Sequence, residues 1–184
     1  MAYFRAQHTR MTNITPPADD RERTELLAAL ATQRGFLAQT LRGVSDEQAA
    51  QRTTPSELCL AGIAKHVTAA WGSWLDFIQH GAGPTGTTSP EAMDKHAKTF
   101  IVLPGETIAS LLDGLDDVAR RTDKLIAALP SLDDSHALPP APWFEPGARW
   151  SARTALLHIL AEMAQHCGHA DIIREALDGA KTMG

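Results

Sequence analysis

Cysteine is nearly missing from this chain: Cys59 and Cys167 are the only two among 184 residues. Two cysteines cannot build a disulfide framework, so a reduced, cytoplasmic setting is expected. Long apolar runs are missing too; none approaches the ~20 residues that a membrane-spanning helix needs. Basic excess is absent, with 17 Lys and Arg against 22 Asp and Glu and a formal net charge of −5. That balance argues against nucleic acid or an anionic membrane as partner. The opening stretch "MAYFRAQHTRMTNITPPADD" lacks the apolar core of a secretory signal. It reads as a flexible arm over residues 1–18, with either Met1 or Met11 as the start. Strand-like alternation of apolar and polar residues is also lacking, which excludes a sheet as the organising element. What remains is an ordinary globular composition, 43% hydrophobic and 21% charged, with the length of one domain. Residues 19–180 are expected to form that domain, and no internal repeat is visible.

Apolar residues recur at a helical period in four long segments. The first runs from about Asp19 to Arg42, with Leu26, Leu27, Leu30, Phe36, Leu37 and Leu41 as its stripe and Gly43 as its stop. "SDEQAAQRTTPS" reads as a short capped turn and a connection. The second runs from about Leu58 to Gln79, where Ile63, Val67, Trp71, Trp74 and Ile78 keep the three/four spacing. "HGAGPTGTTSP" and "EAMDKHAKTF" read as a long surface loop with about one helical turn. The third segment should start after Pro104, with Glu106 in its first turn, and end at Pro130. A second proline-rich loop leads to the fourth, from Ser151 as N-cap through Leu177, with Gly179 as stop. Helices of similar length joined by long loops indicate an all-α fold, a four-helix bundle.

The fourth segment carries unusual chemistry. At about 100° per residue, with His158 at 0°, Glu162 falls near 40°, His166 near 80° and His169 near 20°. Four ligand-capable side chains thus share one narrow stripe. Leu156, Leu157, Ile159, Leu160, Met163, Ile172 and Ile173 surround them, so the helix reads as packed on several sides. A buried carboxylate or imidazole without a partner loses hydration and gains nothing. A divalent metal resolves that cost, because Glu-x-x-x-His offers an oxygen and a nitrogen from consecutive turns. A third ligand must come from a facing helix, and the second segment offers His66 within "LAGIAKHVTAAWGSW". His66, Glu162 and His166 make a His₂Glu set with an open coordination position, the form of catalytic zinc sites. The same spacing also suits a solvent-facing or hydrogen-bonded pair, and a lone His66 also suits a satisfied core residue. Spacing does not choose between these.

"LAGIAKHVTAAWGSWLDFIQHG" and "WSARTALLHILAEMAQHCGHADIIREALDG" resemble the DinB-like superfamily of metal-binding four-helix bundles. The nearer likeness is to an actinobacterial branch of uncharacterised members whose last helix reads like H-x-x-E-E-x-A-R-H-A-G-H-A-D-I-L-R-E. The resemblance spans about residues 20 to 180. It implies an up-down-down-up bundle with a long crossover, often dimeric, and a divalent metal, zinc first and nickel as the alternative. Many members use three histidines, whereas the related mycothiol-dependent maleylpyruvate isomerase uses two histidines and a glutamate. Carried over, the ligand positions match His66, Glu162 and His166, with His158 and His169 as outer neighbours. Gln165 departs from the arginine usual before the motif histidine. The isomerase also has a C-terminal domain contributing to its active site, with no counterpart in the sequence given, so isomerisation is not expected.

The chemistry so implied is metal-assisted use of a low-molecular-weight thiol, mycothiol, against an electrophilic substrate: an S-transferase or detoxification enzyme. A non-catalytic metal-binding or stress-associated bundle is the second reading, and a metal-dependent hydrolase the third. Trp71 and Trp74 follow His66, and Trp143, Phe144 and Trp150 precede the ligand helix. They suit either a substrate pocket or core and loop anchors. Cys167 points about 100° from His166 and reads as packing. Lys65 reads as solvent-facing, and His8, His80, His96 and His136 are assigned no role. The expected partners are a small thiol, an electrophile and a second copy of the chain.

Overall fold

The computed structural model describes residues 18–83 and 89–182. The N-terminal arm and the choice between Met1 and Met11 lie outside the described residues, as does the centre of the first loop. Four long helices carry the fold: α1 (Ala18–Thr40), α3 (Leu60–His80), α5 (Ile108–Ala128) and α6 (Ala152–Asp178). Two short helices, α2 (Asp46–Ala49) and α4 (Pro90–Lys98), lie in the connections. A two-stranded antiparallel ribbon, β1 (Ser135–Ala137) with β2 (Arg149–Ser151), pairs His136 with Trp150.

Local chemistry sets the ends of these helices. Ser151 caps α6 by accepting from the Thr154 amide, and Gly179 ends it in the left-handed region at φ 80°. Ser45 and Gln48 form a reciprocal capping box on α2. The Cys59 thiol accepts from the Gly62 amide at the start of α3. The third long helix begins at Ile108 rather than just after Pro104. Thr107 and Ser110 form its capping box, while Glu106 lies outside, accepting from the Leu103 amide and from Lys65. Leu129, extended before Pro130, closes it.

Cross-helix contacts give the direction of each helix. Arg153 binds Glu22, Cys167 donates to the Gln33 carbonyl, and Arg174 donates to the Thr40 carbonyl, so α1 and α6 run parallel. Gly114 faces Thr68 and Arg121 binds Asp76, so α3 and α5 are parallel. His66 meets His166 and Trp74 meets His158, so α3 and α6 are antiparallel. Arg34 on Asp116 and Arg23 on the Ile126 carbonyl make α1 and α5 antiparallel. The order is therefore up-down-down-up. Two parallel neighbours, α3 and α5, force the chain between them to travel back the full length of the bundle. That crossover carries α4.

One apolar core joins all four helices, with Leu37, Leu41, Ile63, Leu75, Leu115 and Leu156 among its fully buried members. The fourth helix is less enclosed than its apolar neighbours suggest. It packs on α1 and α3, and Leu157 (48%) and Ile172 (63%) stand exposed on its outer face. Among the described residues no helix is long and apolar enough to cross a membrane.

Candidate metal centre

His66 projects from the second turn of α3 into the interior and is only 3% exposed. Opposite it, α6 presents Glu162 and His166 from consecutive turns. One ligand-type atom from each of the three lies within 4.8 Å of the others. The His66 and His166 rings are 4.9 Å apart, and His166 Nε2 is 3.7 Å from Glu162 Oε2. Glu162 is one-third exposed and marks the open side. On that side His158 Nε2 stands 4.0 Å from Glu162 Oε1. His169 follows one turn on, its ring 5.4 Å from that of His166.

Electrostatics favour the metal-binding forms of both imidazoles. Burial first, then the charges of His166 and His96, push the His66 imidazole down to about 4. Burial also lowers His166, against the raising effect of Glu162. Both rings are therefore neutral at pH 7, with a lone pair to offer, beside a carboxylate. His166 Nδ1, His169 Nδ1 and Trp71 Nε1 are buried without a hydrogen-bond partner among the described residues. Orphaned buried polar atoms are uncommon, and these three cluster around the convergent set. The donor set, two imidazoles and one carboxylate, suits zinc or another divalent ion of similar preference.

The crossover, expected from its sequence to be a surface loop, supplies groups to the site. α4 is a nine-residue helix, capped by Ser89 and with Pro90 in its first turn, rather than a single turn. Its end delivers Thr99, Phe100 and His96 to His66. Thr99 Oγ1 lies 2.8 Å from His66 Nδ1. The Phe100 ring stacks on His66 at 3.8 Å with the planes 14° apart, and the His96 ring meets it edge-on at 5.2 Å. Gly62 permits this approach, because a Cβ there would stand 2.5 Å from the Phe100 carbonyl oxygen. Lys65 is not solvent-facing. It donates to the Ile101 carbonyl at 2.8 Å and pairs with Glu106, latching residues 101–106 onto α3. The histidine and threonine of "DKHAKTF" were the available signal, but no apolar period tied them to α3.

The aromatic residues divide. Trp71 is core, 2% exposed. Trp74 is half-buried, stacks on Trp150 at 4.8 Å and holds the His158 ring edge-on at 4.8 Å. Phe144 meets Trp150, while Trp143 is exposed. The ribbon thus brings Trp150 to the rim of the site. A crevice of only ≈ 10 Å³ lies beside Glu162, lined also by Val67, Ala70, Trp71, Trp74 and Met163. That is about the room of one water molecule, so a ligand at this site would lie on the open side of Glu162 and not within the crevice. Cys167 turns away to α1, and burial pushes its thiol up to about 11. His136 points to the Ile78 carbonyl, away from the triad.

A family model described as mycothiol S-transferase matches residues 25–179. The chain belongs to the mycothiol S-transferase family, a DinB-like family. The matched span includes α3, α5 and α6 whole, α1 from Glu25 onward, and the three convergent residues. No curated protein matches the chain. Among solved structures, a conserved protein from Enterococcus faecalis is similar at a TM-score of 0.64. It is 14% identical, over 85% of this chain and 97% of that one. At that identity the likeness shows a shared fold.

Proposed function

We propose that His66, Glu162 and His166 hold one divalent metal ion, zinc before nickel, and that the protein is a mycothiol-dependent S-transferase acting on a small electrophile. The observation that carries this reading is the convergence of three ligand-type atoms from two helices within 4.8 Å, inside a family described by thiol transfer. A divalent ion held there would supply Lewis acidity that favours the thiolate of a bound thiol, the nucleophilic form.

The chain's own residues have separable tasks. Buried His66 and half-buried His166 keep water from the inner side of the set. Glu162 brings one negative charge and faces the open side. His158, one-third exposed and held by Trp74 and Trp150, is the group assigned to accept the proton that a thiol gives up. In the transfer, sulfur bonds to the electrophilic carbon, and the leaving group departs with its electron pair. Trp74 and Trp150 offer the electrophile an apolar wall. A cytoplasmic location and association of two copies belong to the same reading. A single species of monomer mass at all concentrations in light scattering contradicts the second.

The test is a conjugation assay with the metal-loaded, tag-free protein, mycothiol and a panel of electrophiles. Product that needs both thiol and metal supports transfer. Product formed equally without thiol supports hydrolysis, and no product with full metal occupancy supports a non-catalytic bundle.

A further inference from the structure

Thr99 sits where α4 ends, and its hydroxyl touches two groups at once. Oγ1 lies 2.6 Å from the His96 carbonyl oxygen and 2.8 Å from His66 Nδ1. A hydroxyl has one hydrogen to give. A carbonyl oxygen can only accept, and two oxygens at 2.6 Å with no hydrogen between them repel. The hydrogen therefore belongs to the Thr99–His96 contact, a common side-chain-to-backbone bond near a helix end. The Thr99 oxygen must then accept from His66, so Nδ1 carries the imidazole hydrogen. In the neutral ring the other nitrogen, Nε2, is left bare.

We propose that Thr99 is a positioning residue which fixes His66 as the Nδ1–H tautomer and so presents Nε2, with its lone pair, to Glu162 and His166. The inference rests on the metal-centre reading for its purpose, but the tautomer itself does not. Ligating histidines generally donate their second nitrogen to an oxygen acceptor, which fixes ring orientation and raises ligand basicity. Here the acceptor comes from the crossover, 33 residues away in sequence. Phe100, stacked on the same ring, restricts its rotation. The crossover helix thus acts on the centre without supplying a ligand to it.

The experiment has two arms on the full chain. In the first, nitrogen-15 NMR of the metal-free protein reads the tautomer of His66. In the second, zinc affinity is measured by competition with a chromophoric chelator for the parent, Thr99→Val and Thr99→Ser, with circular dichroism as the folding control. We expect the Nδ1–H tautomer in the parent, a roughly 10–100-fold loss of zinc affinity in Thr99→Val, and affinity close to the parent in Thr99→Ser. An Nε2–H tautomer in the metal-free parent overturns the proposal, as does parent-like zinc affinity in a folded Thr99→Val. Absence of zinc binding by the parent overturns the metal reading instead, and the tautomer spectrum then decides the role of Thr99 alone. Should Thr99→Val lose its helicity, the tautomer in the parent and in Thr99→Ser carries the decision.

Discussion

Glu162 is where this centre departs from three histidines. A carboxylate partly neutralises a divalent charge, so the loaded site would be a milder Lewis acid, and a thiolate would bring it near neutrality. Glu162→Gln keeps the shape, removes the charge and weakens the ligand. Its zinc affinity should fall by more than the roughly 10–100-fold that losing an outer partner costs, together with any thiol-dependent activity. The helical content should not change, because Glu162 is one-third exposed and lies outside the apolar core. Chelator competition and circular dichroism read the two effects side by side. Full zinc occupancy in the variant would move the ligand role to His158 or His169. The stripe that holds Glu162, His166, His158 and His169 was legible because a helix has a fixed period. The contact of Thr99, Phe100 and His96 with His66 was not, because a loop carries no period from which to project a contact.

At the level of the helices, the crossover is fastened to α3 at one close approach and one latch. A Cβ added at Gly62 would meet the Phe100 carbonyl oxygen at 2.5 Å, closer than real atoms allow. Gly62→Ala gains up to about 1 kcal/mol of helix propensity and costs about 1–3 kcal/mol in overpacking. The net loss of stability should stay under about 2 kcal/mol, with the strain relieved by moving residues 99–106. We expect chemical denaturation to show that small loss, and zinc affinity to fall because Phe100 leaves His66. A variant with parent-like zinc affinity contradicts the fastening. At the far end, α1 and α6 are joined by Arg153 on Glu22, with Asp133 as a further partner. The hydrogen bond from Arg153 holds the Glu22 carboxyl below its ordinary value of 4.5. The folded form therefore binds that proton less readily than the unfolded form. The pair's contribution is present above pH 4.5 and is lost as pH falls through the lower folded value. The melting-temperature gap between the parent and Glu22→Gln should shrink from pH 7 to pH 3.5, and an unchanged gap would contradict this. The caps at Ser151 and Gly179 were readable because they are local chemistry. The β1–β2 ribbon was not, since two three-residue strands within a proline-rich stretch show no alternation.

For the molecule as a whole, direction is what makes the site. Only an antiparallel α3 and α6 set His66 level with Glu162 and His166, and only parallel α3 and α5 require a crossover long enough to reach back over His66. The four apolar periods made the bundle legible, and the pairing of the His66 helix with the Glu162 helix followed from needing a third ligand. Which face of α6 stayed open did not follow, because Leu157 and Ile172 are as apolar as the residues that pack. The proposed centre requires α3 and α6 together to hold one metal ion. Metal analysis of protein purified without a histidine tag, beside zinc titration of the parent and of His66→Gln, tests it most directly. We expect one ion per chain in the parent, and loss of that ion when the His66 imidazole is removed from a still-helical protein. A parent that binds no divalent metal, or a His66→Gln variant that binds it equally well, would contradict it.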